Sequence, residues 1–281
     1  MSKKPLITMA RRAAVAVAVT ATLAGCATST TGSVTGSNRS QLLLVSEAEM
    51  VQASQQAFNQ RKSAAQSKGV LISSGADYNR VVNIMRRLST QVAHFRPDAA
   101  RWNWDLALIR NNDVNANVMP GGKVTVYTGL YQKLNLTDDE LAAVIGHEMA
   151  HALREHSKKA VGQQALTGLA ASIGGAVLQS TTGASSDTVN LGANILSEYG
   201  VNMPFSRSQE SEADLLGVRL MAQAGYNPQA AISVWEKMNS VSDNNNALNA
   251  ITSSHPTNNA RISAIRRMLP EVMPIYEQSR R

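Results

Sequence analysis

Two histidines four residues apart, with a glutamate directly after the first, are the part of this 281-residue sequence best suited to chemistry: His147-Glu148-Met149-Ala150-His151. On a helix each residue turns about 100°, so positions four apart lie about 40° apart on one face, and both imidazoles can reach one metal ion. Glu148 stands about a third of a turn away, close enough to act as a base on a water at that metal. The helix is apolar nearly all round through Leu141, Val144, Ile145, Met149 and Leu153. A buried helix should not carry an ionisable glutamate between two histidines unless they are used. A surface helix with incidental histidines is the competing reading. His156 lies about 180° round from His147 if the helix runs on to about Lys158, so the geometry rejects it as third ligand. Arg154 and Ser157 stand where a three-histidine motif on one helix needs glycine and histidine. His156 is read as a polar residue near the helix end, where its positive form suits the dipole.

A third ligand must then come from a second helix. In Ser208-Gln209-Glu210-Ser211-Glu212-Ala213-Asp214, Glu210 and Asp214 share a face, whereas Glu212 points about 200° away. Glu210 is the expected ligand. Asp214 is expected behind it, accepting from a ligand histidine or pairing with an arginine. A surface acidic cluster at a helix N-terminus is the alternative. Two imidazoles and one carboxylate leave a fourth position for water, as catalytic zinc requires, with one ion per chain.

Positioning these side chains falls to a mainly helical chain with one small strand region. Ser46-Glu47-Ala48-Glu49 is a capping box, opening a helix to about Ser67. Val81, Ile84, Met85, Leu88 and Val92 mark a second helix. Trp102, Trp104, Leu106 and Leu108 alternate as in a strand. An Asn-rich loop follows, then Pro120-Gly121-Gly122 and a strand from Lys123 to Thr128. Thr137-Asp138-Asp139-Glu140 is the capping box of the histidine-bearing helix. Residues 160–203 are rich in Ala, Gly, Ser and Thr, and helices from about Ser208, Pro228 and Thr257 complete the chain. Within that stretch, residues 165–178 are apolar but short for a span, and read as a buried or lid helix.

Composition narrows the class. With 43% hydrophobic and 17% charged residues the chain is neither disordered nor a multispanning membrane protein. At 4%, aromatics are too few for a stacking-based nucleic-acid binder. The formal charge of +7 owes much to Lys3, Lys4, Arg11 and Arg12; without residues 1–25, 23 basic residues face 20 acidic ones. Nucleic acid is therefore not an expected partner. These cations precede an apolar run, Ala13 to Ala24, too short for a permanent span and suited to a secretory signal. It ends in Leu23-Ala24-Gly25-Cys26, which resembles the bacterial lipobox and implies lipidation at Cys26, the one cysteine. Ala27 after it, by analogy with lipoprotein sorting, suggests an outer-membrane anchor facing the periplasm. The expected organisation is a signal peptide over 1–25, a lipidated flexible tether over 26–45, and a zinc metallopeptidase domain over 46–281.

Taken together, Pro120-Gly121-Gly122 before a strand, Gly146-His147-Glu148-Met149-Ala150-His151, Glu210-Ser211-Glu212-Ala213-Asp214, and Ser254-His255-Pro256 followed by Arg261 resemble the HtpX-like gluzincin peptidases. These include the CAAX prenyl endopeptidases and periplasmic lipoproteins of the BepA type, and the lipobox points to that lipoprotein branch. The resemblance covers roughly Asp77 to Leu269. One departure is Asn115-Ala116-Asn117, where the family usually has an aromatic after Asn-Ala. The resemblance implies a mainly α (α+β) zincin-like fold with a small sheet whose edge strand binds extended peptide. Lys123, Val124, Thr125 and Val126 are assigned to that edge, beside the active-site helix. It also implies a zinc-dependent endopeptidase acting on unfolded or misassembled envelope proteins, with Glu148 as general base. An assembly factor or chaperone that rarely cuts is the alternative. A structural zinc module would need four ligands, usually with cysteines. His255 is expected close to the metal, held by Pro256, with Arg261 pairing Asp214. Two roles are open for it: donating to a tetrahedral oxyanion, or taking the fourth zinc position in a resting state.

Overall fold

In the computed structural model, the residues described are 27–29, 40–42, 46–162, 190, 192–196, 204–242, 251, 254–255 and 259–281. Cys26, the signal run and the apolar stretch 165–178 lie outside them, as does most of the segment 160–203. Six strands and seven main helices make the described elements: β1 (Ala27–Ser29), β2 (Ser40–Leu42), α1 (Glu47–Ser67), β3 (Leu71–Ile72), α2 (Ala76–Ser89), β4 (Asp105–Ile109), β5 (Ala116–Met119), β6 (Lys123–Tyr127), α3 (Thr128–Lys133), α4 (Asp138–Leu153), α5 (Arg207–Gln223), α6 (Ala230–Ser242) and α7 (Asn259–Ser279). Two short 3-10 turns sit between α2 and β4. The chain is thus mainly helical with one small mixed sheet, the α+β class expected. None of the described helices is long and apolar enough to cross a membrane.

The sheet runs β3-β4-β6-β5, with β4 and β6 parallel and the other pairs antiparallel. The short strands β1 and β2 pair separately, antiparallel. This order corrects the edge assignment. Lys123–Tyr127 has a neighbour on each side, so Lys123, Val124, Thr125 and Val126 offer no free backbone to a substrate. The edge along α4 is β5, in the stretch read as an Asn-rich loop. The first strand is also shorter than expected. Trp102 closes a 3-10 turn, and Trp104 anchors beside it through an indole hydrogen bond to the Ala99 carbonyl.

Alternation of side chains divides the layers. Leu106, Leu108, Val118, Val124 and Val126 face the main core, shared with α2, α4, α5 and α6. Ala107, Ile109 and Met119 face the other way, against Met50, Ala53, Ala57 and Phe58 of α1 and the buried residues 193, 195 and 196. Both faces of the sheet are therefore covered, with α4 on one side and α1 on the other.

Both long helices of the site begin on capping boxes, Thr137 with Glu140 and Ser206 with Gln209. They touch where glycines remove the side chain from each. A Cβ on Gly217 would stand 2.9 Å from the His147 nitrogen, and one on Gly146 would stand 3.2 Å from the Gly217 carbonyl oxygen. This close approach brings α5 against the face of α4 that carries the histidines. The active-site helix stops at Leu153, earlier than expected. Glu155 has φ of 55°, a left-handed conformation uncommon outside glycine and asparagine. Its carboxylate is held by Lys158 at 3.2 Å and Arg96 at 3.7 Å. Arg96 also pairs with Glu47 and Asp98, tying the break to the start of α1.

Candidate metal centre

Four side chains from three places in the chain converge: His147 and His151 from α4, Glu210 from the first turn of α5, and His255 from the segment before α7. One donor atom from each lies within 4.8 Å of all the others. His147 Nε2 is 3.1 Å from His151 Nε2, 3.3 Å from His255 Nδ1 and 3.4 Å from Glu210 Oε2. Glu210 Oε1 is 2.9 Å from His255 Nδ1 and 3.4 Å from His151 Nε2. Metal–nitrogen distances of about 2.0–2.1 Å put the corners of a tetrahedron about 3.3–3.4 Å apart. The separations here, 2.9–3.4 Å, lie at or slightly below those edges.

The protonation pattern makes the same point. His147 Nδ1 lies 3.0 Å from Asp214 Oδ1, a carboxylate that can only accept, so the ring carries its proton there and turns the Nε2 lone pair inward. His255 Nε2 lies 3.3 Å from Glu148 Oε1, which fixes its proton on that side and leaves Nδ1 facing the cluster. Lone pairs meeting at these separations repel one another unless a cation lies between them. The residues fit a metal ion.

The surroundings are built to hold that charge. All four donors are almost wholly buried, at 1–3% exposure. Arg261 reaches Asp214 through Nε and Nη2, both at 2.7 Å, and its Nη1 is 2.9 Å from Glu210 Oε2. Its guanidinium lies over Trp235, 4.2 Å from the ring centre, and Trp235 in turn packs edge-on against His147. This joins α7 to α5 across the ligand carboxylate. Burial alone would raise the Asp214 and Glu210 carboxyls, but Arg261 and His147 at Asp214, and the histidines at Glu210, outweigh it and hold both below the usual range. Burial would likewise lower His147, yet Asp214 and Glu210 raise it to about 9, so a metal at Nε2 would take the place of a proton there while Nδ1 keeps its own toward Asp214. His151 goes the other way, pushed well below the usual imidazole range chiefly by burial. At Glu148 burial dominates and pushes the carboxyl up, against the pull of His255 and His147.

The fourth donor position faces the imidazole of His255, the placement that one of its two open roles requires. One expectation changes here. His156 is not a charged residue in the last turn of α4; the chain turns at Arg154-Glu155 and His156 opens the next helical stretch. Its ring is buried, its Nδ1 is 2.8 Å from His151 Nδ1, and burial lowers its pKa despite Glu212. The reckoning of 180° assumed an unbroken helix, and the turn at Glu155 removes that assumption. Phe205 and Trp235 were not singled out from sequence. Phe205 stacks on His151, centroids 4.0 Å apart and planes 23° apart, and its N–H donates to the Ser254 carbonyl at 3.4 Å. Position alone gives no signal for Trp235, whereas Phe205 directly precedes the Ser206 cap of the ligand helix.

The model of peptidase family M48 matches residues 76–269. The mitochondrial metalloendopeptidase OMA1 of Schizosaccharomyces pombe is 36% identical over 176 residues, which cover 63% of this chain and 50% of that protein. The metalloprotease LoiP of Escherichia coli is 30% identical over 262 residues, covering 90% of this chain and 94% of LoiP. The β-barrel assembly-enhancing protease of Escherichia coli is 24% identical over 174 residues, covering 61% of this chain and 36% of that protein. The chain thus spans about half the length of the OMA1 protein it matches and nearly all of LoiP. The chain belongs to peptidase family M48.

Proposed function

We propose that this member of peptidase family M48 is a zinc-dependent endopeptidase of the bacterial cell envelope, lipidated at Cys26, anchored in the outer membrane and facing the periplasm. The observation that carries the reading is the convergence of His147, His151 and Glu210 on one point with Glu148 beside it. Support for the location comes from the lipobox-like Leu23-Ala24-Gly25-Cys26 and from the similarity to the β-barrel assembly-enhancing protease of Escherichia coli. The same features favour the periplasmic lipoprotein branch of the HtpX-like group, with a signal over 1–25, a tether over 26–45 and the peptidase domain after it.

Zinc held there supplies Lewis acidity toward a scissile carbonyl and toward water. The chain's own residues do the rest. Glu148 takes a proton from the attacking water and returns it to the leaving amine, and the upward push of burial on its carboxyl makes it a stronger base for that transfer. Asp214, held by Arg261, keeps His147 in the tautomer that presents Nε2. Strand β5 is the edge suited to an extended peptide. Tyr127 donates to the Asn115 carbonyl, so the ladder bonds to β6 fall at 115, 117 and 119. The backbone groups of Ala116 and Val118 therefore point away from β6, toward an added strand. Asn115 Oδ1 now accepts from the Ala116 N–H, a contact that such a strand would displace. Main-chain pairing of this kind suits unfolded or misassembled envelope proteins as substrates, because it reads little side-chain identity.

His255 is best read as a reversible plug. One ring supplies the fourth donor and also engages the base, so both the water position and Glu148 are withheld together. The oxyanion role needs the imidazole displaced from this position. The same closed arrangement favours a second reading, an assembly factor for outer-membrane proteins that binds chains and seldom cuts them. Degradation of casein by the purified full chain separates the two. The peptidase reading expects turnover that stops on chelation and returns with zinc, whereas zinc-loaded protein that binds casein without cleaving it favours the assembly factor.

A further inference from the structure

We infer that His156, hydrogen-bonded to Glu212 and backed by the Glu212–Arg154 ion pair, forms a support behind His151 that fixes its tautomer and direction, making His156 a positioning residue for the metal. The inference rests on the metal site proposed above and deepens it. The break in α4 creates the arrangement: Glu155, at φ of 55°, turns the chain so that the His156 ring comes back beside His151, centroids 4.9 Å apart at 71°. His151 Nδ1 and His156 Nδ1 are 2.8 Å apart, His156 Nε2 is 3.3 Å from Glu212 Oε2, and Glu212 Oε1 is 2.5 Å from Arg154 Nη2. His156 is 1% exposed and Arg154 6%.

This string has one consistent proton order. Glu212 accepts only, so His156 carries its proton on Nε2 and presents a lone pair at Nδ1. The partner at 2.8 Å must then donate, which puts the His151 proton on Nδ1. His151 Nε2 is left with its lone pair directed into the cluster, where His147, Glu210 and His255 converge. The first ligand is supported by Asp214 and Arg261, and the second by the same carboxylate–guanidinium pair with one imidazole inserted. The insertion spans a longer gap: Glu212 lies on the side of α5 away from Glu210 and reaches His151 only through another ring. Phe205 stacked on the face of His151 limits the ring's tilt, but a stacked ring sets no tautomer. Without His156, a buried Nδ1–H would lose its acceptor.

The test is zinc affinity of the full chain, stripped and then titrated against a chromophoric chelator, with far-UV circular dichroism of the zinc-free protein as the check on folding. Removing such an outer partner typically weakens metal binding about 10–100-fold. That loss is expected for His156→Phe, which fills the space but accepts nothing. His156→Gln, which can accept from His151 and donate to Glu212, is expected to recover most of it. A packing role predicts the reverse order, since phenylalanine fills the site better than glutamine. Glu212→Ala, at the rim of the group, is expected to weaken zinc by about tenfold and decides the matter if the phenylalanine variant does not fold. Zinc binding by Glu212→Ala within twofold of wild type, or by His156→Phe as tight as by His156→Gln, overturns the inference. Wild-type chain that takes up no zinc overturns the metal reading itself, and this inference with it.

Discussion

Replacing His255 by alanine should make the enzyme faster. In the closed arrangement the ring makes three buried contacts: Nδ1 to Glu210 Oε1 at 2.9 Å and to His147 Nε2 at 3.3 Å, and Nε2 to Glu148 Oε1 at 3.3 Å. The contact with Glu148 involves a carboxylate, and such charge-assisted contacts contribute about 1.5–3 kcal/mol. At about 1.4 kcal/mol per factor of ten, that bias leaves roughly a tenth to a hundredth of molecules open. His255→Ala removes the competitor and keeps His147, His151 and Glu210, so kcat/KM on an unfolded substrate should rise about 10- to 100-fold. Initial rates are to be compared at matched zinc content, because losing a donor also loosens the metal. A fall in rate at full zinc occupancy would show that the imidazole serves the chemistry, as an oxyanion donor would. An unchanged rate would show that the ring withholds nothing.

Arg261→Leu leaves the Asp214 and Glu210 carboxylates buried without their cation, and breaking such a pair costs about 3–5 kcal/mol, read as a lower thermal midpoint and weaker zinc binding. The double variant with Asp214→Asn should lose less than the sum, since the two residues share one interaction. Glu140→Gln tests the charge at the cap of α4. Burial would raise this carboxyl, but Lys237, the Thr137 backbone and Ser233 hold it low, so its contribution is fully present above its ordinary value of 4.5 and is lost as pH falls through its depressed folded value. Glutamine can still close the capping box, as Gln209 does on α5, so the variant should be less stable at pH 7 by only about 0.5–1 kcal/mol, for the lost partly exposed pair with Lys237, and the gap to wild type should close below about pH 4 in thermal unfolding. Val118→Pro removes an N–H that points away from β6 and keeps the ladder, so kcat/KM should drop about three- to tenfold, one hydrogen bond's worth, with circular dichroism unchanged.

How far the sequence could be read depends on whether each contact is local. The period of α4 puts His147 and His151 on one face, and the step from Glu210 to Asp214 does the same on α5; both are properties of a regular helix, and the structure brings all four together. The bend after Leu153 is different. Leu153-Arg154-Glu155-His156-Ser157-Lys158 contains no glycine or proline, and the turn is held by Arg96, nearly sixty residues away in sequence. No local pattern reveals it, so helical periodicity alone puts His156 on the wrong side of a helix that in fact breaks at Arg154-Glu155. Strand β5 fails for a second reason. Asparagines at 111, 112, 115 and 117 read as loop, and pairing with β6 overrides that preference. Gly121 and Gly122, at φ of 77° and 79°, let the chain fold back tightly enough for Met119 to meet Lys123. The edge of the sheet consequently moved one strand away from where the residue pattern put it. The mainly helical class with its small sheet was legible because it follows from caps and apolar periods alone.

The central claim is that a zinc ion at His147, His151 and Glu210 works with Glu148 as the base. Glu148→Gln tests it most directly, because the amide keeps the shape of the side chain, leaves the donor atoms untouched and cannot take a proton. Zinc content by elemental analysis and casein turnover should be measured on the same preparation. The account predicts wild-type zinc content with turnover reduced at least about a hundredfold. Near-normal turnover by the glutamine variant at full zinc occupancy would contradict it.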